Sequence, residues 1–299
     1  MQVSVTISGF SRLFDNDLRA VVDAAKAADA AGVHQLVLPD HVVMGARTDR
    51  YPFGTFPYGP LEPWPEPMIL LAAIAGATER VRLGTGILIS PLRPAVLLAK
   101  LAATLDRVSN GRLDLGVGLG WQREEYLAEG IAFRERPQMF VDQLRACVAL
   151  WTQEPPVSFE SETVSFREIW CEPRPIQAGG VPLSFGTAAT PAMVDLMAEL
   201  GAGWLPIYTT TPDELLDGIA RLQAAYTAAG RDPKTLELRE TLRPVFDASG
   251  RLDGPATRAA AEPLAARGVT SASVGLGRNL ADAGGVARFL EDVGRAFAE

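Results

Sequence analysis

Cysteine and histidine are scarce in this chain of 299 residues, with two of each. Cys147 and Cys171 form no CxxC pair, which excludes a disulfide framework and the usual cysteine metal or redox spacing. Long apolar runs are missing as well. Glu66 and Glu79 bracket one of the longest, Pro67 to Thr78, only 12 residues where a bilayer-spanning helix needs ~20. The opening MQVSVTISGFSRLFD has no basic segment followed by an apolar one, so no secretory leader is expected there. Positive charge is short: 28 Lys+Arg against 36 Asp+Glu give a net charge of -8, which argues against a general affinity for nucleic acid or an anionic membrane. No Walker sequence, G-x-S-x-G elbow, His-rich metal cluster or Cys/His pair occurs, so NTP, acyl-transfer and metal chemistry lack their parts. The expectation is a soluble, cytoplasmic protein acting on a small molecule, without a metal.

What the chain does have is alternation. Short β-rich runs at Val3–Ser8, Gln35–Pro39, Val81–Ile87, Arg112–Val117, Val181–Gly186, Trp204–Pro206, Leu236–Leu242 and Thr270–Val274 alternate with longer helical stretches. Several of these runs are almost wholly apolar, as parallel strands covered on both faces are. Helix punctuation is clear. Asn16 is placed to cap a helix with Leu18, Val21, Ala25 and Ala28 on one face and Gly32 at its end. Pro94 opens another, with Leu97, Leu98, Leu101, Leu105 and Val108 as its stripe. Thr211-Pro212-Asp213-Glu214 reads as a capping box with proline in the first turn. Phe140, Leu144, Val148 and Trp151 mark a further stripe, and Cys147 beside it reads as a core residue.

Eight such units predict an α/β fold, a (β/α)₈ TIM barrel forming one domain over residues 1–299, although a doubly wound sheet has the same alternation. Two gaps are long and predict insertions: about 42–66 after strand two, rich in Pro, Gly and aromatics, and about 153–180 after strand four, where VSFE and VSFR suit a small hairpin. Loops after strands lie on the catalytic face of a barrel, so either insertion is placed to cover a site. For the second, a surface loop tied down by its aromatics is the preferred reading.

Candidate chemistry gathers at the strand ends. His34 precedes strand two, on the face away from the expected site, and reads as structural. His41 follows Asp40 at the mouth, where an imidazole can donate or accept a proton. From position alone, a hydrogen bond between Asp40 and His41, or a loop cap, explains the pair equally well. DLGVGLGW (Asp114 to Trp121) reads G-x-G-x-G on the fourth strand, so it is no dinucleotide fingerprint. Its glycines leave room for a flat ring against the backbone, or only for a crowded rim. Gly186-Thr187-Ala188 lead into a helix opened by Thr190 and Pro191, a place where amides and a hydroxyl can hold a phosphate. Most helix N-termini, however, hold nothing.

The run SPLRPAVLLAKLAATLDRVSNGRLDLGVGLGWQREEYLAEG (Ser90 to Gly130) closely resembles the signature of the luciferase-like flavin and deazaflavin oxidoreductases. VLPDHVV around His41, PWPEPMILLAAIAGATERVRLGTGILI and FGTAATPAMVDLMAELGAGWLPI extend the likeness, in family order, to about Pro206. The DH pair, the Pro-rich insertion and the GW-x-x-E arrangement look most like the branch that uses coenzyme F420, a 5-deazaflavin hydride carrier. The resemblance implies a barrel with the cofactor ring in its mouth and an oxidoreductase moving hydride between F420 and a small organic substrate. Asp40 and His41 match ring-lining positions, with His41 the acid/base candidate. Gly86 and Ile87 match a strand-three bulge that carries a non-proline cis peptide behind the ring. Gly118, Gly120 and Trp121 match the fourth strand end, with Glu124 one turn on as a weaker acid/base candidate. Gly186, Thr187 and Ala188 match the segment on the phosphate-bearing tail, and a homodimer is a family expectation. One departure matters: sugar-phosphate dehydrogenases of this superfamily place a catalytic glutamate where this chain has Trp121, so that activity is not carried over. Trp121 is read as packing on ring or substrate, with ordinary rim packing as the alternative. Two other functions stay open: a reduced-FMN monooxygenase, and a flavin- or deazaflavin-binding protein without turnover. An acidic cofactor tail in a protein of this charge needs local cations, and Arg93, Arg123 and Arg243 are the expected ones. The aromatic insertion (Tyr51, Phe53, Phe56, Tyr58, Trp64) suits an apolar or planar substrate, or core packing alone.

Overall fold

A computed structural model of the protein describes residues 1–207 and 210–298. Eight parallel strands form the barrel: β1 (Gln2–Thr6), β2 (Gln35–Leu38), β3 (Arg82–Thr85), β4 (Leu113–Gly118), β5 (Leu183–Phe185), β6 (Gly203–Trp204), β7 (Arg239–Thr241) and β8 (Ser271–Gly275). Neighbours in sequence are neighbours in space, and β8 returns to pair with β1, with Val5 opposite Val274. The ring closes most thinly between β6 and β7, through a parallel bridge of Trp204 to Leu238. Strand seven, expected to run from Leu236 to Leu242, forms its ladder with β8 over Arg239–Thr241, because a 3-10 turn at Pro233–Thr235 feeds it and the Leu238 N–H goes to Thr270 Oγ1 at 2.8 Å. Strand three is interrupted: the Gly86–Ile87 peptide is cis, and a short continuation, Leu88–Ile89, pairs with β4.

The outer layer is α1 (Leu18–Ala31), α2 (Pro67–Ala77), α3 (Ala95–Val108), α4 (Arg136–Thr152), α5 (Pro191–Leu200), α6 (Pro212–Ala228), α7 (Gly254–Ala266) and α8 (Val286–Phe297). Among the described residues no helix is long and apolar enough to cross a membrane. The capping box at Thr211 and Glu214 forms as the sequence predicts. The cap of α1 is Asp17 rather than Asn16. Asn16 takes a left-handed conformation, φ 62°, and hands the capping role to the next side chain, which accepts from Arg19 N–H at 2.8 Å. The buried face of α3 is Leu98, Ala99, Ala102, Ala103 and Leu105, while Leu97 and Val108 are exposed. Alanines let α3 approach the sheet closely, so the leucine stripe alone misplaces its face. Cys147 is fully buried against α3, and burial pushes its thiol well above the ordinary range, as suits a core residue.

Alternation along the strands divides the barrel into two chemistries. Val3, Val5, Leu36, Leu38, Leu83, Leu113, Leu115, Val117, Leu183, Phe185, Ala272 and Val274 belong to the continuous apolar core. Between them stand small or polar residues, among them Ser4, Thr6, Gln35, Gly84, Gly86, Asp114, Gly116, Ser184, Gly186, Ser271 and Ser273. Near the N-terminal ends of the strands this second set is knitted by Asp114, which accepts from Gln35 Nε2 at 2.8 Å and from Arg82 Nε and Nη2 at 2.7 and 2.5 Å. Burial pushes the Asp114 carboxyl up, while its hydrogen bonds hold the Arg82 guanidinium above its usual range. The insertion at about 153–180 contains the expected hairpin, Val157–Glu160 with Ser165–Ile169, pinned to α4 by Thr163 on Asp142.

Arg112 shows how the bottom of the fold is tied. It is buried and donates to the carbonyls of Ser109 (2.6 Å), Val81 (2.9 Å), Ala75 (3.0 Å) and Thr78 (2.9 Å), closing the C-terminal end of α2. Arg112→Met leaves these acceptors without a partner and is expected to cost at least about 3 kcal/mol. A urea unfolding curve measures it, and an unchanged midpoint would contradict the assigned role.

Candidate active site

The catalytic face holds two adjoining compartments. The larger, about 440 Å³, is lined by the strand-end residues Gly86, Ile87, Gly120, Trp121, Gly186, Thr187 and Ala188, and reaches into the barrel to Thr6, Val37, Arg239 and Ser273. Its size lies within the usual range for a ligand or cofactor pocket. The smaller, about 220 Å³, lies under the first insertion and is walled by Tyr51, Phe53, Phe56, Tyr58, Trp64 and Trp121 around His41. Thr6, Phe53, Gly86, Ile87, Gly120, Trp121, Thr241 and Ser273 belong to both, so they form the common boundary.

Missing side chains shape that boundary. A Cβ on Gly186 would lie 2.5 Å from Ile87 Cγ2, and one on Gly118 would lie 2.9 Å from Ile87 Cδ1. Ile87, on the cis peptide, therefore beds in a trough made by two glycines from neighbouring strands. Gly118 seats Ile87 in this way and does not itself line the cavity. Gly120 has φ 64° and lies against Ile89, so it meets both conditions that favour glycine.

Asp40 and His41 end β2 side by side, but they do not bond each other. Asp40 is buried and accepts from Ile89 N–H (2.8 Å) and from both terminal nitrogens of Arg93 (2.7 and 3.0 Å). Arg93 also reaches Glu66 at 2.8 Å, and Glu66 caps the start of α2 on Ile69 N–H at 2.8 Å. Burial works against the Arg93 charge, yet the hydrogen bonds from these carboxylates hold its pKa above the ordinary value. Arg93 is thus consumed inside the wall and is not free for an anionic tail. Arg123 and Arg243 are exposed and line neither compartment. The cations that do line the larger one are Arg136 and Arg239.

His41 is oriented by a residue the sequence reading passed over. Its Nδ1 lies 3.1 Å from Glu125 Oε2, while Glu125 Oε1 accepts from Val42 N–H at 2.9 Å. Glu125 is fully buried, on the short helix Arg123–Ala128. Glu124, the expected residue, points elsewhere: it lies 3.8 Å from Arg50 and lines neither compartment. The legible signal was the spacing of Gln122, Glu125 and Tyr126, which are the buried face of that turn. With the Glu125 carboxylate accepting from Nδ1–H, neutral His41 presents a bare Nε2 lone pair. Among the described residues no hydrogen bond is made by Nε2, and the Trp64 ring packs edge-on at 4.7 Å.

Three polar atoms around the larger cavity are orphaned. Thr187 Oγ1, Arg136 Nε and Arg239 Nε are buried and have no hydrogen-bond partner among the described residues. A bound group with acceptor oxygens would satisfy them. His34, the other histidine, lies outside both compartments, and its carbonyl accepts from Arg82 N–H at 2.9 Å.

A barrel with a glycine-rimmed cavity and an adjoining chamber built around one histidine has the parts of a cofactor-dependent oxidoreductase. Residues 2–283 match the luciferase-like monooxygenase family, and the chain belongs to it. The uncharacterised protein Rv0953c of Mycobacterium tuberculosis is 32% identical over 256 residues, covering 80% of this chain and 85% of the relative. Among solved structures, the monooxygenase RslO1 from Streptomyces bottropensis superposes with a TM-score of 0.83 at 21% identity, covering 99% of this chain and 98% of that one. An F420-dependent secondary alcohol dehydrogenase, in complex with an F420–acetone adduct, superposes with a TM-score of 0.77 at 16% identity over 100% of this chain and 99% of that one.

The Glu125–His41 contact makes a prediction that needs no ligand. In nitrogen-15 NMR at pH 8 the imidazole of His41 is expected as the Nδ1–H tautomer, with His34→Gln used to assign the signal. Glu125→Ala, which removes the acceptor, is expected to return it toward the Nε2–H form. An unchanged tautomer in that variant would sink the assignment.

Proposed function

We propose that the protein is an F420-dependent oxidoreductase, moving a hydride between the deazaflavin and a small organic substrate while His41 handles the accompanying proton. The observation that carries this reading is the common boundary: a cavity of cofactor size meets, across Ile87 and Trp121, a chamber whose base has an unpartnered Nε2. The residues present fit such a cofactor. Gly86, Gly120 and Gly186 leave backbone open along the cavity wall, and Thr187 and Arg136 would take the phosphate and the charge of its side chain, while Arg239 is paired with Glu237 at 2.7 Å and keeps only its Nε for a ligand. When bound, F420 supplies a two-electron hydride acceptor or donor.

The remaining chemistry belongs to the chain. In the oxidation direction His41 Nε2 accepts the substrate hydroxyl proton as the carbon gives up hydride, and in reduction it returns that proton. Glu125 holds the ring in the tautomer that can do so and favours the imidazolium that forms. Trp121, Phe56 and Trp64 keep water from the reacting carbon, and the walls hold the two reacting centres in contact.

A second reading, a monooxygenase using reduced FMN, is supported by the likeness to RslO1. Titrating the protein with F420, reduced F420, FMN and reduced FMN, and following turnover on alcohols, ketones and enones, separates the two. The expected result is binding of F420 with turnover, and a fall in kcat of about 10²- to 10⁴-fold in His41→Asn. FMN binding with oxygen uptake and no F420 binding would establish the second reading instead.

A further inference from the structure

We infer that the smaller chamber selects a flat aromatic compound of one or two rings that carries a carbinol (CH–OH) group. This deepens the function proposed above by naming the class of substrate, and it rests on that reading only for the reaction itself.

Three observations converge. The chamber is small, about 220 Å³, below the range of pockets that take larger ligands. Its apolar wall is made almost wholly of rings: among the described residues Ile87 and Ile89 are the only branched aliphatic side chains facing it. The rings are already organised against one another. Tyr51 and Phe56 meet Trp121 at 5.2 and 5.6 Å, and Tyr58 meets Trp64 edge-on at 5.2 Å. Such a lattice presents ring faces and edges, whose charge distribution favours an aromatic guest over a saturated one of equal size. Each aromatic pair adds roughly twofold to tenfold in affinity beyond the area it buries.

The hydroxyl follows from the histidine. Nδ1 is committed to Glu125, so the neutral ring offers the chamber an acceptor. Asp40, the carboxylate beside it, is saturated by Arg93 and Ile89 N–H and adds no donor to the chamber. The hydroxyl of an aryl carbinol brings the proton that this acceptor takes, and the buried Trp64 Nε1, without a partner among the described residues, is a donor on the same wall for its oxygen.

The test is calorimetric, on the purified protein without cofactor at pH 8, so it stands apart from the outcome of the cofactor titrations. The probes are naphthalen-2-ylmethanol, its saturated counterpart (decahydronaphthalen-2-yl)methanol, and 2-methylnaphthalene, which lacks the hydroxyl. Naphthalen-2-ylmethanol is expected to bind at least about tenfold more tightly than the saturated alcohol, and more tightly than 2-methylnaphthalene. In Phe56→Leu and in Tyr58→Leu, both half-exposed positions of the insertion, the aromatic preference is expected to shrink toward about threefold, with circular dichroism reporting the fold. Equal or tighter binding of the saturated alcohol or of 2-methylnaphthalene would overturn the inference. So would undetectable binding of naphthalen-2-ylmethanol at millimolar concentration, or a preference untouched by both variants.

Discussion

The buried contact of Asp40 with Arg93 organises the catalytic face. It joins three segments that are distant in sequence: the end of β2, the stretch that follows the cis peptide, and, through Glu66, the return of the aromatic insertion into α2. A carboxylate and a guanidinium are costly to bury, and each is satisfied here only by the other's geometry and by further hydrogen bonds. The position of His41 is fixed as a result. Its neighbour Asp40 is anchored on one side and Glu125 grips its own ring on the other. The aspartate of the DH pair thus acts on the wall and the histidine faces the smaller compartment.

A second constraint is the division of the strands into an aliphatic face and a small or polar one. Aliphatic residues toward the helices supply the burial that holds the barrel together. Small residues on the alternate positions leave the upper interior open, so the cavity descends to Thr6, Val37 and Ser273. Ionic and hydrogen-bonded side chains around Asp114 fill the lower interior. The cis peptide stands at the junction, where Ile87 rests on Gly118 and Gly186 and forms the boundary between the two compartments.

Much of the fold was legible because the alternation of apolar strands and punctuated helices is local, and eight repeats of it have few other solutions. Errors fell where local signals compete. Asn16 and Asp17 are both good caps, and only the left-handed backbone at Asn16 decides between them. In α3 alanines, not leucines, define much of the packed face. At the site, motif position located Asp40, His41, Gly86, Ile87, Gly120, Trp121, Gly186, Thr187 and Ala188 on the compartments' walls. It failed for Glu124 and for the three arginines, because charge near a strand end says nothing about direction. Arg93 is spent on Asp40, while Arg136 and Arg239 enter the cavity from a helix start and from the barrel interior. Glu125 was hidden by its neighbour, and only helical spacing distinguishes a buried glutamate from an exposed one beside it.

The proposed site puts a cofactor ring in the larger cavity against Ile87, with the His41 chamber opening onto its reacting edge. A crystal structure of the complex with whichever of F420 or FMN binds tests it most directly. The expected result is density for the ring along the Gly86–Ile87 peptide, with its phosphate beside Thr187 and the aromatic chamber clear. A ring lodged among Phe56, Trp64 and His41, with the larger cavity empty, would contradict it.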